Sequence, residues 1–291
     1  MTEYQNPSLE LRARVALEKH GFHNSHSLGQ NFLLDEGLLN GLLDAAGLEA
    51  SDFVMEIGPG PGLMTALLAR RCMKVLAVEV DRSLEPVLRD VLAGTENAEV
   101  VFQDIMKADL SALIGDKPYR VVANLPYYIT ADILLRLVTA VRPPESIAIM
   151  VQKEAAERIM SQPGTKSWCA LAATAQSYGA AEILADVPSE AFNPPPHVQS
   201  QFIILRKHES PIVTPRDERL YLRVVNAAFA MRRKTLANNL KAAFGLDQSA
   251  AARVLETAGL DPRVRGEALT LQELSRLTDV LCDMGVASGR S

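Results

Sequence analysis

Four consecutive residues, Asn124-Leu125-Pro126-Tyr127, carry groups suited to holding a planar amine. An exocyclic amine on an aromatic ring is a poor nucleophile because its lone pair is delocalised into the ring. The Asn124 side-chain oxygen and the Leu125 carbonyl can accept its two hydrogens and draw the nitrogen towards tetrahedral geometry. Pro126 fixes the turn, and Tyr127 can stack on a base, which is worth about 1–3 kcal/mol. The alternative is a strand-end turn whose aromatic residue belongs to the core.

A glycine-rich turn lies upstream, at Gly58-x-Gly60-x-Gly62, between an apolar segment and a helical pattern. Glycines let the backbone approach a ligand closely. Dinucleotide-binding folds use the spacing G-x-G-x-x-G. Here the spacing is G-x-G-x-G, with Pro59 and Pro61 between the glycines, which disfavours a nicotinamide dehydrogenase. Taken alone, the turn is equally compatible with a purely structural role.

Two acidic residues follow later apolar segments. Glu79 comes 21 residues after Gly58, where an acid can accept both hydrogens of a ribose diol. Asp104 follows the next apolar segment and can accept from an adenine amino group. Ligands of open α/β sheets bind at the carboxyl ends of the strands, so we expect both acids and Asn124 in one crevice. The alternative for each acid is a surface position at the end of a strand.

The segments around these motifs alternate between apolar runs and helical periods. Strands are predicted at 53–57, 74–80, 98–102, 120–123 and 146–152, with helices at 63–71, 84–93 and 129–141. This order predicts a parallel, doubly wound α/β sheet. Two more predicted strands, 181–187 and 199–206, are joined by a proline-rich loop instead of a helix, which favours a reversed strand in the sheet.

The last part of the chain has a different pattern. Residues 207–215 contain two prolines and no periodicity, which indicates a linker. Four helices are predicted beyond it, at 219–231, 234–243, 250–258 and 271–284. We therefore predict a main domain over residues 1–207 and a small all-helical domain over 208–291.

The composition is typical of a globular protein, with 48% hydrophobic and 22% charged residues among 291. No apolar stretch approaches the roughly 18 residues of a transmembrane helix, and the N-terminus lacks the apolar core of a signal peptide. Three widely separated cysteines form no disulfide or metal spacing, which favours a reducing cytoplasm. His20, His23 and His26 have no carboxylate or cysteine nearby, so no metal site is predicted. No extended apolar stripe is left over, and we expect a monomer.

The net charge of −5 hides a basic segment, since residues 216–241 contain seven Lys or Arg and two acids. Such a segment can bind nucleic acid, although a solvated helix face would give the same count. Its end combines cations and amides that suit the phosphate oxygens of structured RNA. These candidate RNA-binding residues are Arg232, Arg233, Lys234, Asn238 and Asn239. Thr235 among them also suits the cap of the next helix.

Phe192 precedes three prolines, at 194–196, which stiffen the loop and lower the entropy lost when it is ordered. Such a loop can press Phe192 against the second face of a base. A phenylalanine packed beneath a proline loop is an equally good interpretation of this segment.

Five motifs in this order resemble those of the small-subunit (16S) ribosomal RNA adenine N6-dimethyltransferase family, to which the bacterial kasugamycin-sensitivity enzyme belongs. They lie at residues 27–33, 56–62, 124–127, 192–196 and 229–240, so that the resemblance covers nearly the whole chain. It implies a Rossmann-like class I methyltransferase domain with a mostly parallel seven-stranded sheet, followed by a small all-helical C-terminal domain.

The resemblance also implies the ligands. S-adenosylmethionine would be the methyl donor, and two adjacent adenosines in the 3′-terminal hairpin of 16S rRNA would become N6,N6-dimethyladenosine on an immature 30S particle. The cofactor residues so implied are Gln30, Asn31, Leu33, Gly58, Gly60, Glu79, Asp104 and Asn124. The residues implied for the base are Asn124, Leu125, Pro126, Tyr127 and Phe192.

Three positions depart from the family pattern. His26 replaces the usual Lys or Arg, and His197 and Gln199 stand where the family commonly has Lys and Asp. Losing a Lys and an Asp together suggests a removed ion pair. Two alternatives stay open. One is a large-subunit rRNA dimethylase on the same scaffold, which the 229–240 segment and the proline loop disfavour. The other is an assembly factor that checks the 30S platform and methylates only secondarily.

Overall fold

The computed structural model describes residues 7–25 and 28–286. They form two compact units. The first contains the chain up to Ala156 together with Ala181–Lys207, and the second contains Glu157–Ala180 and the chain from His208 onward. The sequence-based limits of 1–207 and 208–291 instead assign residues 157–180 to the first domain. Those limits do not take account of the apolar contacts that Trp168, Ala172 and Ala173 make in the helical core.

The regular elements found among the described residues are as follows. The strands are β1 (Phe32–Leu33), β2 (Phe53–Ile57), β3 (Lys74–Glu79), β4 (Ala98–Phe102), β5 (Arg120–Asn124), β6 (Ser146–Gln152), β7 (Gly179–Val187), β8 (Phe192–Asn193) and β9 (Ser200–Lys207). The helices are α1 (Leu9–Lys19), α2 (Glu36–Ala45), α3 (Leu63–Ala69), α4 (Glu85–Val91), α5 (Leu110–Ile114), α6 (Thr130–Val138), α7 (Lys153–Ile159), α8 (Ala170–Tyr178), α9 (Glu218–Ala230), α10 (Leu236–Phe244), α11 (Gln248–Thr257) and α12 (Leu271–Asp283).

The first unit is built on a seven-stranded sheet in the order β4-β3-β2-β5-β6-β9-β7. Strands β2 to β6 pair in parallel, whereas β9 runs antiparallel to β6. Every residue of β2 is buried, as expected of a central strand covered by helices on both faces. The predicted mostly parallel α/β fold, with its reversed strand, is confirmed. A separate two-stranded ribbon pairs β1 with β8.

The second unit is helical, and its described residues from 208 onward contain no strand. Its core contains Trp168, whose indole N–H donates to the Leu269 carbonyl at 2.9 Å and whose ring meets Phe229 edge to face. Hydrogen-bonding the indole satisfies the polar atom of a large side chain that is otherwise buried. Searching the described helices for one long and apolar enough to cross a membrane finds none.

Candidate functional site

A cavity of about 300 Å³ opens at the carboxyl ends of the parallel strands. It lies where β3 and β5 flank β2, which is the point at which the strand order reverses and α/β sheets bind ligands. Most of the candidate residues come together here. Those that line the cavity are Gln30, Asn31, Leu33, Gly58, Gly60, Glu79, Asp104, Asn124, Leu125, Pro126 and Tyr127.

Glu79 holds the glycine turn and the end of β3 together. Its Oε2 accepts from the Gly60 N–H at 3.2 Å, and its Oε1 accepts from the N–H groups of Val80 and Asp81 at 2.9 and 2.8 Å. Burial raises the pKa of Glu79, and these three donors act against that rise by stabilising the carboxylate. The acid is thus fixed in position, with acceptor capacity remaining on Oε2.

Gly60 is required by its surroundings. Its φ of +54° lies in the left-handed region, and a Cβ there would stand 2.9 Å from the Phe32 ring. Only glycine combines that backbone with such a close approach. Glycine at this position therefore lets the backbone of the turn form the cavity wall beside Glu79.

Glu56, the first residue of the motif at 56–62, is a site residue that had no individual assignment from the sequence. Its side chain is fully buried in β2 and lines the cavity, and neither carboxyl oxygen has a hydrogen bond of good geometry among the described residues, although the nearby Thr65 hydroxyl acts to lower its pKa. Burial raises the pKa of Glu56 to about 8. A buried acid without a partner is costly unless something compensates for it. The sequence does contain a signal that could have identified Glu56: it lies inside a continuous apolar run, where a carboxylate is unusual.

The cavity has an acidic lining. Glu56, Glu79 and Asp104 contribute carboxyl groups, whereas no Lys, Arg or His is found among the described residues that line it. A pyrophosphate would meet no positive side chain here. The donor and acceptor set therefore fits a small ligand that carries positive charge and several hydrogen-bond donors.

The loop before β1 closes one side of the cavity. The Gln30 amide donates to the Asp81 carboxylate at 2.7 Å, and its oxygen accepts from the Ser25 N–H at 2.7 Å. Gln30 is thereby an anchor of the loop as well as a lining residue. Residues 26 and 27, the first part of the motif at 27–33 and the departure at His26, lie outside the described residues.

The turn after β5 presents two acceptors. The Asn124 amide nitrogen donates to the Asn31 carbonyl at 3.0 Å, which sets the orientation of the amide and leaves its oxygen as the acceptor. The Pro126 carbonyl is occupied by the Thr130 hydroxyl at 3.0 Å and by the Ile129 N–H. No hydrogen bond within residues 7–25 and 28–286 ends on the Leu125 carbonyl.

Tyr127 is held by a residue that is distant in sequence. Its hydroxyl lies 2.6 Å from the hydroxyl oxygen of Ser200, which is fully buried at the start of β9. Burial raises the pKa of Tyr127, so that the phenol stays neutral and able to share a proton with Ser200. Sequence reasoning gave Ser200 no role because only the reversed strand brings it to this edge.

Phe192 does not line the cavity. It lies in β8 opposite Leu33, is 4% exposed and packs in the apolar core of the first unit. The β1–β8 ribbon also connects the loop before β1 with the proline segment, and the Asn24 amide donates to the carbonyls of Gln30 and Asn193 across that connection. Contact of Phe192 with a base remains a prediction.

The cationic cluster lies in the second unit, between α9 and α10. Arg232, Arg233 and Lys234 are exposed, and the Arg232 guanidinium donates to the Lys166 carbonyl. Asn238 is exposed too, and its amide donates to the Thr235 hydroxyl at 3.0 Å. These four candidates share one surface segment that is open to an anionic partner.

Asn239 differs from its neighbours. It is 1% exposed, and its amide donates to the Ala228 carbonyl at 2.9 Å, so the side chain ties α10 to α9 inside the helical core. Leu236 and Leu240, three residues before and one after it, are buried on the same helix face. The structure thus places Asn239 in the interior, not on the proposed RNA-facing surface. The sequence signal for this burial is the spacing of Asn239 from the two leucines, which places all three residues on one face of a helix.

No group of three or more His, Cys, Asp or Glu side chains suited to a metal ion is found in the described part of the chain.

Two solved structures share this fold over most of the chain. A dimethyladenosine transferase from Plasmodium falciparum superposes with a TM-score of 0.73 at 24% identity, covering 87% of this chain and 98% of that one. The 23S rRNA methyltransferase ErmE gives 0.63 at 26% identity, covering 87% of this chain and all of that one. The fold is therefore that of the Rossmann-like RNA methyltransferases.

Sequence comparison narrows the class. Residues 21–276 match the family model described as ribosomal RNA adenine dimethylase. A relative from Geobacillus thermodenitrificans, named ribosomal RNA small subunit methyltransferase A, is 42% identical and covers 93% of this chain and 95% of its own length. A relative of the same name from Shouchella clausii is 43% identical, with 93% and 94% covered. The chain belongs to the ribosomal RNA adenine dimethylase family.

Proposed function

We propose that this protein uses S-adenosylmethionine to dimethylate N6 of two adjacent adenosines in the 3′-terminal hairpin of 16S rRNA. The observation that carries the proposal is the pair of acceptors on Asn124 and Leu125, held at the wall of an acidic cavity. The names of the Geobacillus and Shouchella relatives support the small subunit as the substrate. We further propose that it acts as a cytoplasmic monomer on an immature 30S particle.

The cofactor residues have distinct roles. Glu79 would accept from the ribose diol with its remaining acceptor capacity, and Asp104 would accept from the adenine amino group. Glu56 and the acidic lining would favour the positively charged end of the ligand. The backbone of Gly58 and Gly60 lets the cofactor lie close to the turn. S-adenosylmethionine supplies, when bound, a methyl group on a sulfonium, which is a strong electrophile.

The base would be held by the turn after β5. Asn124 Oδ1 and the Leu125 carbonyl accept the two amine hydrogens and make the nitrogen lone pair available, while Tyr127 stacks on the ring. No side chain needs to remove a proton before attack, because placement and electrostatics lower the barrier. In each transfer the nitrogen would gain the methyl group as its carbon–sulfur bond breaks, and would then lose one proton to solvent. After the first transfer a single N–H remains, and one of the two acceptors is enough to orient it for the second.

The proposal is tested by methyl transfer to unmethylated 30S particles and, separately, to 50S particles, with modified nucleosides identified by mass spectrometry. We expect N6,N6-dimethyladenosine in the 30S hairpin alone. Label in the 50S sample would favour the large-subunit alternative, to which the similarity with ErmE points. Binding to 30S particles without any label would leave the assembly-factor alternative.

A substitution separates catalysis from particle binding. Glu79→Ala removes three hydrogen bonds and the ribose acceptor, so we expect loss of methylation with particle binding nearly unchanged. The matched control is Glu99→Ala, because Glu99 is an exposed carboxylate on β4 that pairs with Lys74. Full activity of Glu79→Ala would refute the assigned cofactor site.

A further inference from the structure

Tyr128 differs from every other aromatic residue in the described part of the chain, because it alone is exposed. Its side chain is 64% exposed, yet it lines the mouth of the cavity beside Tyr127. The two adjacent tyrosines have different surroundings. The Tyr127 hydroxyl is bound to buried Ser200, whereas Tyr128 offers its ring to the solvent. Isolated exposed apolar residues are common, so the position at the cavity mouth is what needs explaining.

The surroundings of Tyr128 restrict its ring. A Cβ on Gly29 would stand 3.4 Å from Cδ1 and Cε1 of Tyr128 and from the Pro126 side chain, so the loop before β1 lies close to the ring. The turn that carries the tyrosine is closed by the Ile129 N–H, which donates to the Pro126 carbonyl at 3.2 Å. A ring already confined in this way loses little entropy when a partner covers it.

We infer that Tyr128 is a stacking platform for the nucleotide next to the target adenosine. This inference rests on the proposed function and adds a second base subsite to it. A base that enters the cavity must leave its stack, and its neighbour then loses a partner. An aromatic side chain at the rim replaces that partner. Because the two proposed target adenosines are adjacent, one would rest on Tyr128 while the other is methylated.

The charges at the cavity favour stacking over phosphate contact. The described lining contains carboxyl groups and no cation, and the exposed Lys107 ammonium, 3.5 Å from the Asp104 carboxylate, is already paired with it, so the cavity wall itself offers little attraction to the RNA backbone. A ring, in contrast, binds any base through its π-face without needing a particular sequence. The aromatic platform therefore holds the RNA locally at a site whose charge would otherwise repel it.

The test compares Tyr128→Ala with Tyr128→Phe, which keeps the ring. Steady-state methylation of unmethylated 30S particles should show a KM for the particles raised about 5- to 100-fold in Tyr128→Ala and nearly unchanged in Tyr128→Phe. The KM for S-adenosylmethionine should stay within about twofold of the wild-type value, since stacking acts on the RNA alone. Val141→Ala, at a 91% exposed position that does not line the cavity, is the control for surface truncation.

Particle binding measured by sedimentation makes the result independent of catalysis. Weaker binding of Tyr128→Ala, with unchanged thermal unfolding, supports the inference. A wild-type particle affinity and KM in Tyr128→Ala would overturn it, and so would an equal loss of cofactor affinity, which would make the ring part of the cofactor site. If the wild-type protein binds particles without methylating them, the proposed function fails, and the binding comparison still decides the role of Tyr128.

Discussion

At the level of single residues, the buried carboxyl of Glu56 is expected to affect both the stability of the protein and the charge of the cavity. It lies between the apolar residues of β2 and forms one wall of the cavity. An unpaired carboxylate in that position is far less stable than a neutral acid. The nearby carboxylate of Glu79 further raises the pKa of Glu56. The raised pKa therefore favours the protonated acid, and a cationic ligand beside it would favour the carboxylate.

The protonation of Glu56 predicts a pH-dependent stability. Its pKa is raised from 4.5 to about 8 in the folded protein. Between those values the unfolded chain releases the proton and the folded chain keeps it, so the free energy of unfolding falls as pH rises. Below pH 4.5 both states are protonated, and above about pH 8 the penalty is constant. Glu56→Gln should therefore gain stability relative to wild type as pH rises between these limits, by up to about 5 kcal/mol.

Denaturant unfolding from pH 4 to pH 9 measures the difference. The comparison between Glu56→Gln and wild type removes the contribution of other titrating groups. Glu99→Gln, which changes an exposed carboxylate, should show no such pH-dependent gain. A difference that does not vary with pH would contradict a protonated Glu56 in the folded state.

At the level of elements, the reversed strand β9 brings a polar group to the site. Parallel strands point their carboxyl ends to the cavity, whereas an antiparallel strand presents its first residue there. Ser200 accordingly lies opposite Gln152, the last residue of β6, and reaches Tyr127. The reversed direction of β9 therefore places its first residue, not its last, at the edge that holds Tyr127.

The Ser200 contact predicts a loss of base positioning. Removing one such hydrogen bond costs about 0.5–1.5 kcal/mol, so Ser200→Ala should lower methylation of 30S particles up to about tenfold. Cofactor affinity should not change, because Ser200 does not line the cavity. Tyr127→Phe removes the same bond from the other side. The double variant should be little worse than either single one, as a double-mutant cycle on methylation rates would show.

Additive losses in that cycle would mean that Ser200 acts on something other than Tyr127. Equilibrium binding of S-adenosylmethionine supplies the second readout. A weakened cofactor affinity in Ser200→Ala would assign the serine a general role in the sheet instead of one in holding the base.

Strands and long helices were largely predictable from the chain because their apolar periods are regular. Five helices were not predicted, at 9–19, 36–45, 110–114, 153–159 and 170–178. The last of these, Ala170–Tyr178, is rich in alanine and nearly buried all round, so it shows no amphipathic pattern. The short ribbon of β1 and β8 involves only two residues on each side, and its pairing depends on tertiary contacts between distant segments.

Within the site, the sequence identified residues by type and spacing but not by burial. Phe192 and Asn239 have the side chains expected of ligand contacts, and both are inside. Glu56 was marked only by its place inside the apolar run of β2, and Ser200 reaches the functional edge through the reversed strand β9, which no local pattern reveals. Long-range pairing thus decides which polar residues reach the cavity.

At the level of the whole molecule, each unit carries the charge that suits its proposed ligand. The cavity of the first unit has three carboxyl groups, and the exposed segment of the second has Arg232, Arg233 and Lys234. A net charge of −5 is therefore compatible with an RNA partner, because the acidic and basic groups belong to different units. We therefore expect cofactor binding and particle binding to be impaired by different mutations.

Gly266 provides a way to damage the helical unit alone. A Cβ at this residue would stand 2.0 Å from the Ala228 carbonyl oxygen, which is a backbone atom that cannot move aside without shifting α9. Gly266→Ala should therefore destabilise the second unit by about 3 kcal/mol or more. We expect thermal unfolding at lower temperature and weaker binding to 30S particles, with the affinity for S-adenosylmethionine in the first unit retained. Gly41→Ala, on α2 with open space around it, should be neutral or slightly stabilising. Loss of cofactor binding together with particle binding would show that the two units unfold as one, and would contradict their separate roles.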